Sequence, residues 1–566
     1  MTDDQVSLMQ HRYTIPTKFL AALLALTVFG SSPLMVSADT TKTTATVEQG
    51  EQIYGKGLLI SGQPLEAKTQ GNTEVSGQHL ACISCHRRSG LGSYEGKVQI
   101  PPIAGRILLT APSAVSPQLS AQTTKGYTEA SLKQTIQSGI TPDGRVLNSL
   151  MPHYELGDQD SDALIAYIKT LSASDSPGVD AQSMHFATVV SKDIPAKRRK
   201  IMLGLIQKYF PLAVPASPKK TPLIQTPQSR AALFQNMRRQ RVPNYFPARK
   251  LELHVWELKG PHSSWGKQLE NYYRKQPVFA IIGGLAEGPW SPVHEFCEHH
   301  EAPCLFPNTV EPVVDEHDFY NVYFTKGLSV EGEAVAKHIG QAGEPHGKIL
   351  QVFRRGDSAA EQAAAGLREE ASELKLEQVS ERAITLRGSP TPDYWKQLLK
   401  KEQPEHLVLW LKPADLKSLK AIATTSTGLK RLYLSATLMG TISPSLPEKL
   451  QPLTYLTHRY LVPDTPAYKQ IDNFMQSHAI DGKQNPDDRW LIGDTEWAMN
   501  LLSEAVRQMK YNSRELLVET VEMLVSRKPP LLYPRLGLAA DQRFASKGCF
   551  VVPLNKPTQA VWIVPD

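Results

Sequence analysis

Cysteine is scarce in this chain, with five in 566 residues. That excludes a disulfide-built scaffold, which carries many more for its length. Long apolar runs are scarce as well. Phe19 to Phe29 is largely apolar, and no later stretch approaches the roughly 20 apolar residues of a membrane-spanning helix. A dominant charge sign is also missing: 62 Lys and Arg against 56 Asp and Glu leave only +6, which gives no electrostatic footprint for nucleic acid. The basic runs Lys197-Arg198-Arg199-Lys200 and Arg238-Arg239-Gln240-Arg241 are short and read as solvated surface. A Ser-His-Asp signature, a flavin motif and a GxGxxG fingerprint after a first strand are all absent, so nothing here marks a hydrolase or a dinucleotide enzyme.

The N-terminus carries an export pattern. His11, Arg12 and Lys18 precede the apolar run, and Val36-Ser37-Ala38 places small residues where a signal peptidase reads. The pattern predicts a signal peptide over 1–38 and a periplasmic mature protein without a membrane span. An uncleaved anchor is the alternative.

Two of the five cysteines stand in Cys82-Ile83-Ser84-Cys85-His86. Two thiols at this spacing can each add to one haem vinyl group, and the adjoining imidazole can take an axial position on the iron. A thioredoxin-like dithiol wants a βαβ setting, which is missing. A zinc site wants a second Cys or His pair, and the next cysteine is Cys297. The motif occurs once, so one covalent haem c is expected.

Around the motif the chain reads as helices and loops. A helical pattern begins at Glu48. The Gly-rich loop from Arg87 to Gly96 suits a flat ligand, and Pro101-Pro102-Ile103-Ala104-Gly105 makes a turn. Thr128 caps a helix to Ser138. Met151-Pro152-His153 precedes an amphipathic helix over Ser161 to Leu171 with Leu164, Ile165 and Ile168 on one side. CxxCH, a Pro-x-Ile-x-Gly turn, Met-Pro and a closing helix, in that order, resemble class I cytochrome c. The resemblance implies an all-α domain over 39–173 with Met151, 65 residues after His86, as the sixth iron ligand. It also implies that the carbonyl of Pro101, or of Pro102, accepts a bond from the His86 ring, which orients it. His153 is the rival sixth ligand. Arg87, Arg88 and Lys97 are candidates for the haem propionates, a solvated loop being the alternative.

Residues 174–183 are Ser-, Asp-, Pro- and Gly-containing and read as a linker. Beyond them strands and helices alternate: strands at 184–190, 251–258, 278–284, 304–307, 322–325, 349–353, 406–411 and 432–435, with helices between. That alternation predicts parallel sheets covered by helices. The strand end Phe279 to Gly284, Ala302 to Pro307, Phe319 to Gly327 and Ala540 to Val552 resemble type I periplasmic solute-binding proteins of the branched-chain amino acid class. The resemblance implies a two-lobed α/β domain over 184–566. Its lobes are interleaved, the first running from about 184 to 320 and resuming after about 440. The family's ligand head-group contacts map to Gly284, Ala286, Asn308 and Thr309, although Leu285 to Trp290 supplies none of the usual hydroxyls. Trp290 could stack on a ligand or simply pack.

Cys297 and Cys304 fall late in a helix and in the strand after it, a geometry a disulfide can close in an oxidising compartment. Free thiols are one alternative. A metal site with His294, His299 and His300 is another. The joint reading favours a multidomain exported electron carrier over an enzyme: one haem domain fused to a solute-binding-like domain that senses a ligand or docks a partner. Its partners are periplasmic redox proteins and a small solute. A solute-binding or redox-sensing protein with a regulatory haem is the alternative.

Overall fold

The computed structural model describes residues 46–566, apart from 110–125, 211–212, 216–247, 342–346, 463–467, 470–485 and a few isolated positions. The expected signal segment and the run Arg238 to Arg241 lie outside the described residues. Among the described residues no helix is long and apolar enough to cross a membrane.

Residues 46–172 are mainly helical. The helix Val47–Lys56 starts at Thr46, whose hydroxyl accepts from Gln49 N while the Gln49 side chain accepts from Thr46 N. This reciprocal cap satisfies two otherwise orphaned donors. Thr128 and Ser131 repeat it at the helix Glu129–Ser138. Cys82–His86 forms a single helical turn. The helix Asp158–Thr170 buries Ala163, Leu164, Ile165 and Ile168 in one cluster with Ile53, Tyr54 and Leu132. Each large apolar side chain so buried is worth about 1.5–3 kcal/mol, enough to hold the loops between these helices in place. Among its described residues are five short strands: β1 (Glu66–Lys68) pairs with β2 (Glu74–Ser76), β3 (Ser93–Glu95) with β4 (Val98–Ile100), and β5 (His153–Tyr154) with β1. At two or three residues each, they are too short to leave an alternation in the sequence.

The larger part contains two sheets. The first runs β11-β10-β9-β6-β8-β7, from β6 (Ser183–Ser191), β7 (Ala213–Pro215), β8 (Ala248–Leu258), β9 (Ala280–Ile282), β10 (Cys304–Leu305) and β11 (Asn321–Val322). It is parallel except at the edge strand β7. All nine residues of β6 are buried, which is why that stretch reads as a near-continuous apolar run. The second runs β13-β12-β14-β15-β16-β17-β18. It is built from β12 (Ile349–Arg354), β13 (Val379–Ile384), β14 (His406–Trp410), β15 (Arg431–Ser435), β16 (Thr454–His458), β17 (Cys549–Pro553) and β18 (Val561–Ile563). Its last two strands are antiparallel additions.

The helices Pro486–Gln508 and Arg514–Val525 return to the first sheet, where Leu491, Leu501, Leu517 and Val521 share a core with Phe186 and Phe279. The lobes are therefore interleaved, but the return falls after His458 and not near residue 440. The chain then crosses once more, and β17 and β18 end it in the second lobe. Apolar alternation marks strands without marking which sheet they join, so it does not carry the position of these crossings.

Residues 174–183 are docked, not a free spacer. Asp175 pairs with Arg249 at 3.1 Å, Ser176 N donates to Asn512 O at 2.9 Å, and Ser176 Oγ accepts from Arg514 N at 3.1 Å. Gly178 has φ 86°, and a Cβ there would lie 2.1 Å from Phe279 N. The small polar residues that suggest a linker here serve as hydrogen-bonding groups and as room for close approach.

Candidate functional site

A cavity of about 450 Å³ opens beside the Cys82–His86 turn, within the range of small-molecule sites, about 300–1,000 Å³. Cys82, Cys85, His86, Pro101 and Met151 all line it, among mostly apolar neighbours such as Leu132, Ile136, Leu164 and Ile168. The sequence motifs are far apart in the chain, and the fold brings them to one wall-lined space.

His86 is buried, and its Nδ1 lies 3.0 Å from the carbonyl oxygen of Pro101. The carbonyl can only accept, so Nδ1 carries the hydrogen and Nε2 keeps its lone pair. Burial pushes the imidazole down to about 4, against the opposing effect of that bond, so the ring is a neutral donor. Burial likewise pushes the Cys82 thiol up to about 12. Two thiols, a neutral oriented imidazole and a thioether around one apolar cavity are a donor set that fits haem.

The loop after His86 is held tightly. Gly92 has φ 84°, and a Cβ there would meet Ile100 O at 2.3 Å and Pro101 C at 2.9 Å. Only glycine lets the loop come close enough to Pro101 for that carbonyl to reach His86. Tyr54 Oη donates to Arg87 O at 2.6 Å and Tyr154 Oη to Leu80 O at 2.8 Å, clamping both ends of the CxxCH turn. These two tyrosines lie 33 and 74 residues from their partners, and no local pattern announces them.

Met151 lines the cavity, whereas His153 is not among its lining residues. His153 sits in β5, paired with Lys68, and its ring packs on Gly139. The three cations suggested for the propionates do not line it either. Arg87 Nη2 pairs with Glu522 at 3.3 Å, and Arg88 lies 4.8 Å from the Phe319 ring centroid. Arg145 is the arginine that lines the cavity.

The residues following His86 thus bind the larger part of the chain. Ser89 N donates to Glu519 Oε1 at 2.8 Å and Ser89 Oγ to Oε2 at 2.6 Å. Glu522 bridges Arg87 to Arg543, the latter at 2.6 Å. Arg87 adopts φ 65°, a conformation that costs a non-glycine residue about 1–3 kcal/mol and persists only where its surroundings fix it. Burial pushes the Glu519 carboxyl up to about 8, although Ser89 and Arg87 oppose the shift. Sequence reading missed Glu519 and Glu522 because a helical acidic pair is ordinarily solvated surface.

In the larger part, Asn308 and Thr309 meet Arg459, Tyr460, Trp490, Asp494 and Tyr533 around a space of about 10 Å³, room for about one water. Gly284 and Ala286 do not line it. The Gly284 carbonyl is taken by Asn308 N at 2.9 Å and Nδ2 at 3.2 Å. Trp290 is fully buried and packs on Gly284. Arg459 Nη1 donates to Thr325 Oγ1 at 3.2 Å, and Asp494 accepts from Tyr460 and Tyr533 at 3.3 and 3.2 Å. Burial pushes Asp494 up to about 7, with Arg459 opposing.

Cys297 and Cys304 are free thiols, so the expected disulfide is not formed here. They are fully buried, and burial, then the neighbouring Cys304 thiol, pushes the Cys297 thiol well up. The neighbouring histidines do not converge with them. His294 faces Tyr323 Oη at 2.8 Å and Asp318 at 2.9 Å, His300 binds Glu270 at 2.6 Å, and His299 is exposed.

Residues 75–172 match the cytochrome c family. No curated protein matches the chain. Among solved structures, a fatty acid ABC transporter substrate-binding protein from Thermomonospora curvata is similar at 17% identity and TM-score 0.44, covering 69% of this chain and 94% of its own. A leucine-binding protein from Thermotoga maritima is similar at 13% identity and TM-score 0.45, covering 67% and 98%.

Proposed function

We propose that this chain, whose residues 75–172 match the cytochrome c family, is an exported one-electron carrier with a single covalent haem. Bound in the cavity, haem supplies a centre that gains and loses one electron. Cys82 and Cys85 would be the attachment thiols, and His86 and Met151 would hold the iron. With both side chains on the iron, no position would be left for a substrate there, which favours a carrier over an enzyme. The Pro101 carbonyl orients the His86 ring, and burial keeps it neutral. The observation that carries the reading is the convergence of CxxCH, the Pro101 carbonyl and Met151 on one cavity.

A docking face for a redox protein adjoins that cavity. Ile140, Val146 and Leu150 are among the few exposed large apolar side chains, at 46%, 63% and 50%. Ile140 and Val146 are bridged, and Leu150 lines the cavity beside Met151. The N-terminal export pattern supports a periplasmic location, where a redox partner would meet this face. We assign the haem part to 39–173 and the α/β part to 184–566.

A second reading has one observation in its favour. The loop directly after His86 is anchored on Glu519 and Glu522 of the α/β part. A solute that opened the small space at Asn308, Thr309 and Arg459 would then act on the haem loop, and the haem would report or regulate solute binding. The haem-loaded protein separates the two. A six-coordinate low-spin spectrum with rapid oxidation by an acceptor, and a potential indifferent to solutes, supports the carrier. A potential that moves with one solute supports the sensor. A high-spin five-coordinate spectrum overturns both and points to chemistry at the metal.

A further inference from the structure

The first sheet carries a group of side chains that neither reading uses. β6 and β8 are parallel neighbours with His185 opposite Glu252 and Ala187 opposite His254. Glu252 and His254 are two residues apart on one strand and so share a face. His185 Nδ1 lies 3.0 Å from His254 Nε2 and 3.6 Å from Glu252 Oε2, and the three donor atoms all fall within 4.8 Å of one another. His185 is buried, His254 half-buried and Glu252 exposed, so solvent reaches one side.

The groups behind these three orient them. Asp180 Oδ2 accepts from His185 Nε2 at 3.0 Å, and Asp180 Oδ1 is fixed by Gln182 N and Ser183 N, both at 2.7 Å. These bonds hold Asp180 ionised, down to about 2. With its proton on Nε2, a neutral His185 turns the bare lone pair of Nδ1 towards His254 and Glu252. Ser183 Oγ donates to Glu252 Oε1 at 2.6 Å and leaves Oε2 for the gap. Burial, and then His185, push His254 towards its neutral form. Carboxylate, imidazole and a shared gap in series form the supporting arrangement that metal-bound histidines use.

We propose that His185 Nδ1, His254 Nε2 and a Glu252 carboxylate oxygen form a site for a divalent transition cation, with Zn²⁺ as the best match and water in the fourth position. Two imidazoles and a carboxylate are a zinc donor set. Zinc–nitrogen bonds of about 2.0–2.1 Å at a tetrahedral angle set the nitrogens about 3.3 Å apart, a few tenths beyond the 3.0 Å found. Without metal, His254 Nε2–H donates to His185 Nδ1. With metal, the cation replaces that hydrogen and the proton moves to His254 Nδ1, so neutral ligands bind without net proton release. The cation would tie the start of β6, and with it the Asp180 segment leading from the haem part, to β8.

The test uses the full haem-loaded chain, stripped with a chelator and titrated with zinc chloride by calorimetry and by competition with a zinc indicator. One equivalent per chain is expected, with a higher melting temperature when zinc is bound. His254→Gln and Glu252→Gln, at positions open to solvent, should each weaken binding at least tenfold and remove the thermal shift. Asp180→Asn, which acts through His185, should weaken it about 10–100-fold. His317→Gln, at an exposed histidine 93% accessible in its side chain, should bind as the parent does. No stoichiometric uptake by the parent, or uptake unchanged in His254→Gln and Glu252→Gln, overturns the proposal and leaves a hydrogen-bonded histidine pair.

Discussion

Replacing Glu519 by Gln should abolish a pH-dependent loss of stability built into the contact behind the haem motif. Glu519 is 7% exposed and accepts from both the backbone and the hydroxyl of Ser89. The charged groups facing it are Arg87 and Glu522, and Glu522 is itself paired with Arg87 and Arg543. Burial raises Glu519 from its ordinary 4.5 to about 8. A carboxyl raised on folding contributes full stability below its unfolded pKa, and that contribution is lost as pH rises through the folded value. The separation of roughly 3.5 pH units, at about 1.4 kcal/mol per unit, corresponds to at most about 5 kcal/mol lost between pH 4.5 and pH 8. Gln has the shape of the protonated acid. Its oxygen can accept from Ser89 N and its amide can donate to Ser89 Oγ, without titrating. The assay is denaturant unfolding of the haem-loaded parent and Glu519→Gln, followed by far-ultraviolet circular dichroism at pH 5, 6.5 and 8.5. The parent should lose several kcal/mol relative to the variant across that range. Parallel profiles would refute the reasoning, because they would mean that Ser89 and Arg87 keep the carboxylate ionised throughout.

Two further predictions follow from the geometry. Gly92→Ala introduces a Cβ 2.3 Å from Ile100 O at φ 84°, so the haem-loaded variant should be destabilised by at least about 2 kcal/mol. Its spectrum should also show weakened His86 ligation, and an unchanged spectrum and melting temperature would contradict the role given to this loop. With haem on Cys82 and Cys85 and the other three cysteines free, thiol titration should find none reactive in the native protein and three after unfolding. One thiol after unfolding would mean that Cys297 and Cys304 are joined.

How much of this was written in the sequence differs between the two parts. CxxCH, Pro101 and Met151 are short local motifs whose chemistry demands fixed residue types, and the fold collects them on one cavity. Thr128 announced its helix because a cap is a local event. What stayed hidden is long-range. Tyr54 and Tyr154 reach backbone carbonyls far along the chain, and Ser89 meets a glutamate 430 residues away. In the larger part the alternation of strands gave the class of fold, but Gly284 and Ala286 do not line the space that Asn308 and Thr309 share with Arg459. Arg459 and Asp494 enter that space from the late return of the chain, and residue spacing carries no trace of that crossing. The segment 174–183 has the composition of a spacer and the bonding of an interface, because Ser, Asp and Gly serve both uses.

The central claim is that one haem is covalently held by Cys82 and Cys85, with His86 and Met151 on the iron. The most direct measurement combines the mass of the protein matured in a haem-attaching host with its ferric and ferrous spectra, before and after Met151→Ala. The account predicts a mass increase of one haem, a low-spin six-coordinate parent with a methionine–iron band in the ferric state, and loss of that band with an opened coordination position in the variant. A parent without covalent haem, or a Met151→Ala spectrum identical to the parent's, would contradict it.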